Sequence, residues 1–323
     1  MTQGFPRLLG DVGGTNARWS WQSAPDAALA SFASYPCAEY ASVHAVIEHY
    51  LEDQALPRPA RVAFGIATPV TGDAVRMTNH HWAFSIAALQ RDLGVEHCLV
   101  INDFGAIAAA LPTLKDGDLH RVGGGAAVQG APMAVLGAGT GLGVAGVVRD
   151  ASGRPVTIES EGGHATLAAA DEREQAVIAH LRRRFGHVSA ERAVSGPGLQ
   201  NLYHAVCAID GLACDAALSP ADVVDRALAG RDAACVEALQ LFAGLLGSVA
   251  GNLALTLGAR GGVFIGGGVV PKLGAAFDAL PFRARFEDKG RFRAYLERIP
   301  TAVITSADVA LQGAANALDA APG

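Results

Sequence analysis

Charge is scarce in this chain. Asp, Glu, Lys and Arg make up 17% of its 323 residues, against roughly 25% in an ordinary soluble protein. The net charge is −6, and no dense basic run or basic–aromatic platform occurs, so no nucleic-acid partner is expected. The short run Arg182-Arg183-Arg184 lies in a charged helical stretch and reads as a solvated face. Cysteine is scarce as well. Cys37, Cys98, Cys207, Cys214 and Cys235 are odd in number, widely spread and without a CxxC pair. That pattern argues against a disulfide framework and against a zinc ligand set. A reducing cytoplasm is the expected compartment, since residues 1–7 have none of the architecture of a secretory signal.

Long apolar runs are limited to one, residues 241–257, interrupted only by Ser248, Asn252 and Thr256. It is a little short of the roughly 20 residues that a bilayer requires. The three polar residues fall at i, i+4 and i+8, on one stripe of a helix. Gly244, Gly247 and Gly251 would let neighbours pack closely. A buried helix is expected, and no membrane partner.

Hydrophobic residues are plentiful at 50%, enough to offset chain entropy and to exclude a disordered chain. Glycine is in excess: 39 residues, or 12%, against about 7%. No Gly-X-Y period accounts for the surplus of about 16 over that usual share, so it belongs at particular places.

Short apolar runs alternate with helical patterns. Residues 7–11, 15–21, 31–35, 62–66 and 98–101 read as strands; 42–54, 85–93 and 103–111 read as helices. After a Gly-rich connector at 122–130 the series repeats: strands at 134–136, 144–148, 156–158, 263–265 and 302–305. A short strand is expected at 283–286. Helices follow at 172–185, 198–207, 220–229, 233–257 and 307–318. This is β-turn-β-β-α-β-α-β-α stated twice. It predicts an α/β protein of two domains, each a mixed five-stranded sheet flanked by helices, with a cleft between them where ligands would bind. The boundaries expected are 1–112 plus 304–323 for a small domain and 113–303 for a large one.

The glycine-rich turn Gly10-Asp11-Val12-Gly13-Gly14-Thr15 joins the first two strands. Such glycines let backbone N–H groups converge on an anion, the Thr15 hydroxyl adds a donor, and Asp11 suits a hydrated Mg²⁺. It is not a Walker loop. A second turn, Gly137-Ala138-Gly139-Thr140-Gly141-Leu142-Gly143, stands at the equivalent place in the second copy. Two such turns suggest phosphates gripped from both sides. Gly261–Gly268, with Gly266 and Gly267 at a strand's end, could pack against a base and ribose. Most of the surplus glycine is expected where backbone approaches a nucleotide or a sugar. Asn102-Asp103 sits at a strand's end and a helix's start; one of the two could be an N-cap, or Asp103 a general base. Glu161-Gly162-Gly163-His164 and Glu191 offer the carboxylates and imidazole that a polyol needs. No cysteine cluster accompanies His164, so zinc is not expected.

The segments 10–18 (GDVGGTNAR), 78–86 (TNHHWAFSI), 101–104 (INDF), 137–143 (GAGTGLG), 161–164 (EGGH), 190–203 (AERAVSGPGLQNLY), 261–268 (GGVFIGGG) and 286–292 (FEDKGRF) run in order over nearly the whole chain. In these the sequence resembles the bacterial ATP-dependent glucokinase family, within the actin-like ATPase (ribonuclease H-like) and sugar-kinase superfamily. The resemblance implies transfer of the γ-phosphoryl of Mg-ATP to the 6-hydroxyl of D-glucose. It implies Asp103 as catalytic base, with Asn102, Glu161, His164 and Glu191 on the sugar hydroxyls and residues 10–15 and 137–143 on the nucleotide. It further implies a cytosolic homodimer feeding glycolysis, in a zinc-free branch, since no CxCGxxGC cluster follows His164. Kinases of mannose, fructose or N-acetylmannosamine, or a non-kinase ATPase, would share much of this pattern. A regulator of the same fold would need a helix-turn-helix, for which no room is expected before residue 10.

Overall fold

A computed structural model describes residues 4–321; residues 1–3 and 322–323, at the two ends of the expected small domain, lie outside the described residues. Two compact units form. One holds the chain through Leu114 together with the segment from Ser306 onward, and the other is Lys115–Thr305.

The first unit runs β1 (Arg7–Val12), β2 (Asn16–Gln22), β3 (Ala30–Pro36), α1 (Val43–Asp53) and β4 (Arg61–Ile66). A small hairpin follows, β5 (Ala74–Arg76) with β6 (Ala83–Ser85), then α2 (Ile86–Leu93), β7 (His97–Asn102) and α3 (Asp103–Ala110). The main sheet has the order β3-β2-β1-β4-β7. Its first three strands pair antiparallel, while β1, β4 and β7 are parallel. Parallel strands carry helices on both faces and so read as unbroken apolar runs. Leu8, Leu9, Val62, Ala63 and Phe64 are accordingly fully buried. Serines cap two of these helices: the Ser42 hydroxyl accepts from Ala45 N–H and the Ser85 hydroxyl from Ala88 N–H, each at 3.1 Å. The register aligns Val12 with Ile66 and Ile66 with Asn102. The glycine turn after β1 and the head of α3 therefore emerge at the same end of one sheet.

The second unit runs β8 (Leu119–Gly123), β9 (Met133–Ala138), β10 (Leu142–Arg149), β11 (Pro155–Ser160), α4 (Glu172–Phe185), α5 (Gly196–Asp210) and α6 (Pro220–Leu228). It continues with α7 (Ala233–Leu257), β12 (Gly262–Gly267), α8 (Val270–Leu273), α9 (Phe282–Glu287), α10 (Arg293–Glu297) and β13 (Thr301–Ile304). Its mixed sheet has six strands, in the order β11-β10-β9-β12-β13-β8, not the five expected. The additional strand is β8. Pairing antiparallel with β13, it begins three residues before the stretch that reads as connector, and its Leu-His-Arg-Val-Gly pattern is too short and polar to signal a strand. Residues 283–286 were expected extended and are helical. Phe282 and Phe286, one helical turn apart and fully buried, pack on α7. Gly247 of α7 lies directly under the Phe282 carbonyl and Gly251 under that of Phe286. Tertiary packing on a glycine surface outweighs the β preference of the aromatic residues. A final helix, α11 (Val309–Ala320), returns to the first unit and packs on α3.

Helix α7 is long and apolar enough to cross a membrane, and two thirds of its most apolar stretch is buried inside the protein. Asp232 caps it by accepting from Ala234 and Cys235 N–H at 2.9 and 3.1 Å, and Gly258 ends it in the left-handed region at φ 62°. Phe242, Leu245 and Leu246 are fully buried; each contributes about 2 kcal/mol of apolar burial.

Candidate active site

In the first unit the turn Gly13-Gly14-Thr15 closes with Gly13 N–H donating to Asn16 C=O at 2.9 Å. Its carbonyls are occupied from one side: Cys37 N–H donates to Thr15 C=O at 2.8 Å and the Cys37 thiol to Gly13 C=O at 3.4 Å. That leaves the amides of Gly14 and Thr15 directed elsewhere, with Thr15 exposed. Gly10 and Val12 lie inside β1. A Cβ on Gly10 would enter the Trp19 ring and come 2.7 Å from Phe64 Cβ, so this glycine answers to core packing.

Asp11 opposes Arg18 across the β1–β2 ladder. Burial raises its carboxyl pKa, and the Arg18 charge only partly counters that. Arg18 also donates to Ala307 C=O at 2.8 Å and to Asp308 at 3.1 Å, tying β2 to the start of α11.

At the end of β7, Asn102 serves as the N-cap of α3. Its Oδ1 accepts from Phe104 and Gly105 N–H at 2.9 and 3.2 Å, and its Nδ2 lies 3.4 Å from Thr68 C=O. The reading of Asn102 as a cap therefore holds, with its amide nitrogen donating to Thr68 C=O. Asp103 Oδ1 accepts from Phe104 N–H at 2.9 Å, and the Asn102 side chain and the residue's own N–H also favour its ionised form. Burial first, then the neighbouring Asp11 charge, raises the Asp103 pKa to about 6; the Phe104 N–H works against them. Gly65 permits this closeness, since a Cβ there would lie 3.2 Å from Asp103 Cα. A carboxylate raised into this range is suited to proton abstraction near neutral pH.

In the second unit the turn between β9 and β10 has the same closure: Gly139 N–H donates to Gly141 C=O at 2.8 Å. Gly139 C=O accepts from Gly196 N–H, the first residue of α5, at 2.8 Å. Thr140 is exposed at the tip. Gly137 is packed against the β12 backbone, its virtual Cβ 2.5 Å from the Gly266 carbonyl carbon. Gly267 adopts φ +82°, and Ala138 C=O accepts from both Gly268 and Val269 N–H at 2.9 and 3.0 Å. Gly139 and Gly268 face open space. Glycine surplus was expected chiefly at ligand contacts; in the structure much of it lets strand, helix and turn backbones meet.

Glu191 has a backbone partner within the protein. One of its oxygens, Oε2, accepts from Leu142 N–H at 2.9 Å and crowds Gly141. The carboxylate thus braces the second glycine turn, leaving Oε1 for any other contact. Glu161 and His164 flank the short turn Gly162–His164, their side chains about 60% exposed and 3.7 Å apart (59% and 62%). Gly163 lies directly on Leu142 C=O. Leu142 therefore joins three expected features: its N–H holds Glu191, its C=O seats the Glu161–His164 turn, and it ends the glycine turn.

Sequence reasoning missed Asn79, whose Cβ lies 3.3 Å from the virtual Cβ of Gly14. It also missed Thr68, which bonds to the Arg76 carbonyl and the Thr78 hydroxyl at 3.0 and 3.1 Å. The segment TNHHWAFSI was visible as a match, but nothing in it signals chemistry.

The Glucokinase family model matches residues 8–321. The chain belongs to the glucokinase family. The glucokinase of Chromobacterium violaceum is 52% identical over 319 residues, covering 98% of this chain and 90% of that protein. A solved glucokinase from an Antarctic psychrotroph superposes with a TM-score of 0.89 at 34% identity, over 98% of this chain and 99% of that one. A ROK family glucokinase from Streptomyces griseus, solved with glucose and AMPPNP, shares the fold at a TM-score of 0.64 and 16% identity, over 97% and 99% of the two chains. Membership makes this glucokinase-family chain a hexose kinase, a transferase with an alcohol group as acceptor.

Proposed function

We infer that this chain transfers the γ-phosphoryl of ATP to the 6-hydroxyl of D-glucose, giving glucose 6-phosphate and ADP. Family membership supports the overall reaction. The observation that carries the mechanism is Asp103, anchored at the head of α3 by Phe104 N–H, its pKa raised to about 6 by burial and the neighbouring Asp11 charge. Above that pH it is ionised and accepts the proton of the 6-hydroxyl as the O–P bond forms, a role typically worth about 10²–10⁴-fold. Asn102 Nδ2, Glu161, His164 and the free oxygen of Glu191 hold the sugar hydroxyls in this reading. The remaining backbone amides of the two turns, Gly14 and Thr15 in one and Thr140 and Gly141 in the other, receive the nucleotide phosphates in this reading, with Gly266 and Gly267 beside the nucleoside.

Asp11 suits a hydrated Mg²⁺. It accepts no hydrogen bond among the described residues; burial raises its pKa, and its charge in turn raises that of Asp103. Asp11 would hold the cation through water, in company with phosphate oxygens, since no cluster of three His, Cys, Asp or Glu is present among the described residues. Bound there, the cation would neutralise phosphate charge. The proposal extends to the finer features: two actin-like ATPase domains, the zinc-free branch, and a homodimer in the cytoplasm at the entry to glycolysis. The sequence resemblance supports these, and five unpaired cysteines suit a reducing compartment.

The test is Asp103→Asn, assayed by coupled ADP release with glucose. Retention of the glucose KM with loss of at least two decades in kcat is expected; near-normal turnover would remove Asp103 from the role.

A further inference from the structure

Three of the five cysteines meet in the second unit, which no spacing in the sequence discloses. Cys207 lies near the end of α5, Cys235 in the first turn of α7, and Cys214 in the segment between α5 and α6. Two bonds fold that segment back onto α5. Leu212 N–H donates to Cys207 C=O at 2.9 Å, and Asp215 N–H donates to the Tyr203 hydroxyl at 3.0 Å. Cys214, between these anchors, stands beside the Cys207 thiol, which also lies against the Tyr203 hydroxyl. Cys214 is exposed and Cys207 buried. Burial raises the Cys207 thiol. Cys235 is buried too, and burial together with the Asp232 carboxylate pushes it up to about 12.

We propose that Cys207 and Cys214 form a peroxide-oxidisable dithiol, with Cys214 the thiol that meets the oxidant and Cys207 the one that resolves it. Cys214 sulfur, as thiolate, attacks the O–O bond of hydrogen peroxide and keeps one oxygen as a sulfenic acid. The other oxygen leaves as hydroxide and takes up the thiol proton as water. Cys207 sulfur then attacks Cys214 sulfur; the hydroxyl departs with the Cys207 proton as a second water, and the S–S bond remains. Two thiols are oxidised, one peroxide is reduced, and an added dithiol reverses the step. The bond would fasten the segment after α5 to that helix, whose first residue, Gly196, is bonded to the second glycine turn. It does not depend on the phosphoryl-transfer assignment.

The experiment exposes the reduced full-length chain to graded hydrogen peroxide, alkylates the remaining thiols and maps them by peptide mass spectrometry. The expected result is joint loss of two of the five thiols. A linked peptide joining Cys207 to Cys214 should appear and revert with dithiothreitol. In Cys214→Ser, Cys207 should stay alkylatable at the same dose. Because Cys207 lies in the core, the wild-type chain decides the outcome without a Cys207 variant. Oxidation of Cys214 to the sulfinic acid with Cys207 still free would overturn the proposal. So would linkage of Cys214 to another cysteine, or five thiols intact at millimolar peroxide.

Discussion

Replacing Asp103 with Asn separates catalysis from stability, with opposite signs. The amide is nearly isosteric, and its oxygen can still accept from Phe104 N–H, so the head of α3 should persist. The carboxyl pKa rises from 3.8 to about 6 on folding. A raised carboxylate binds its proton more tightly in the folded state, so between about pH 4 and 6 stability falls as pH rises and then levels off. Two pH units at 1.36 kcal/mol each make ionised Asp103 a liability of about 3 kcal/mol at pH 7 as an upper figure. Asp103→Asn should therefore unfold at higher denaturant than the parent at pH 7, by up to about 3 kcal/mol, and the gain should vanish near pH 4. Turnover in the same variant should drop by at least two decades. Paired urea titrations at pH 4 and pH 7, with kcat measured alongside, test both halves. A variant less stable than the parent at pH 7, or a gain undiminished at pH 4, would refute the account of a desolvated base.

The acid limb of kcat/KM for glucose should have a midpoint near 6, activity falling below it as Asp103 takes up its proton; a profile flat down to pH 5 would contradict that. Gly137→Ala should cost about 3 kcal/mol or more, because its Cβ would lie 2.5 Å from the Gly266 backbone. Gly139→Ala meets nothing within 4 Å and should stay within about 0.5 kcal/mol of the parent while raising the KM for ATP; denaturant curves and initial rates on both variants measure the contrast. Glu161→Gln should raise the glucose KM roughly 10–100-fold, as loss of a charge-assisted hydrogen bond implies, with the ATP KM nearly unchanged.

The features legible in the sequence were those with local causes. Asn102-Asp103 announces itself because a strand end followed by a capping residue fixes where a carboxylate stands. The two glycine turns were visible for the same reason, and both close with a backbone bond, from Gly13 in one and from Gly139 in the other. The purpose of individual glycines was not legible. Gly10 is dictated by Trp19 and Gly137 by the β12 backbone, partners distant in sequence or on another strand. Glu191 was expected to offer its carboxylate to a polyol, and that Leu142, 49 residues earlier, claims one of its oxygens was not legible. The thiol trio, the edge strand β8 and the helical state of residues 283–286 depend equally on tertiary neighbours, which periodicity does not record.

The central claim is glucose phosphorylation at the 6-hydroxyl. It is tested most directly by coupled ADP release with ATP across glucose, mannose, fructose and N-acetylmannosamine, with ³¹P NMR of the product. Glucose should give the highest kcat/KM and glucose 6-phosphate as the product. ADP release unaffected by glucose, a higher kcat/KM for another hexose, or phosphate on a different hydroxyl would contradict the account.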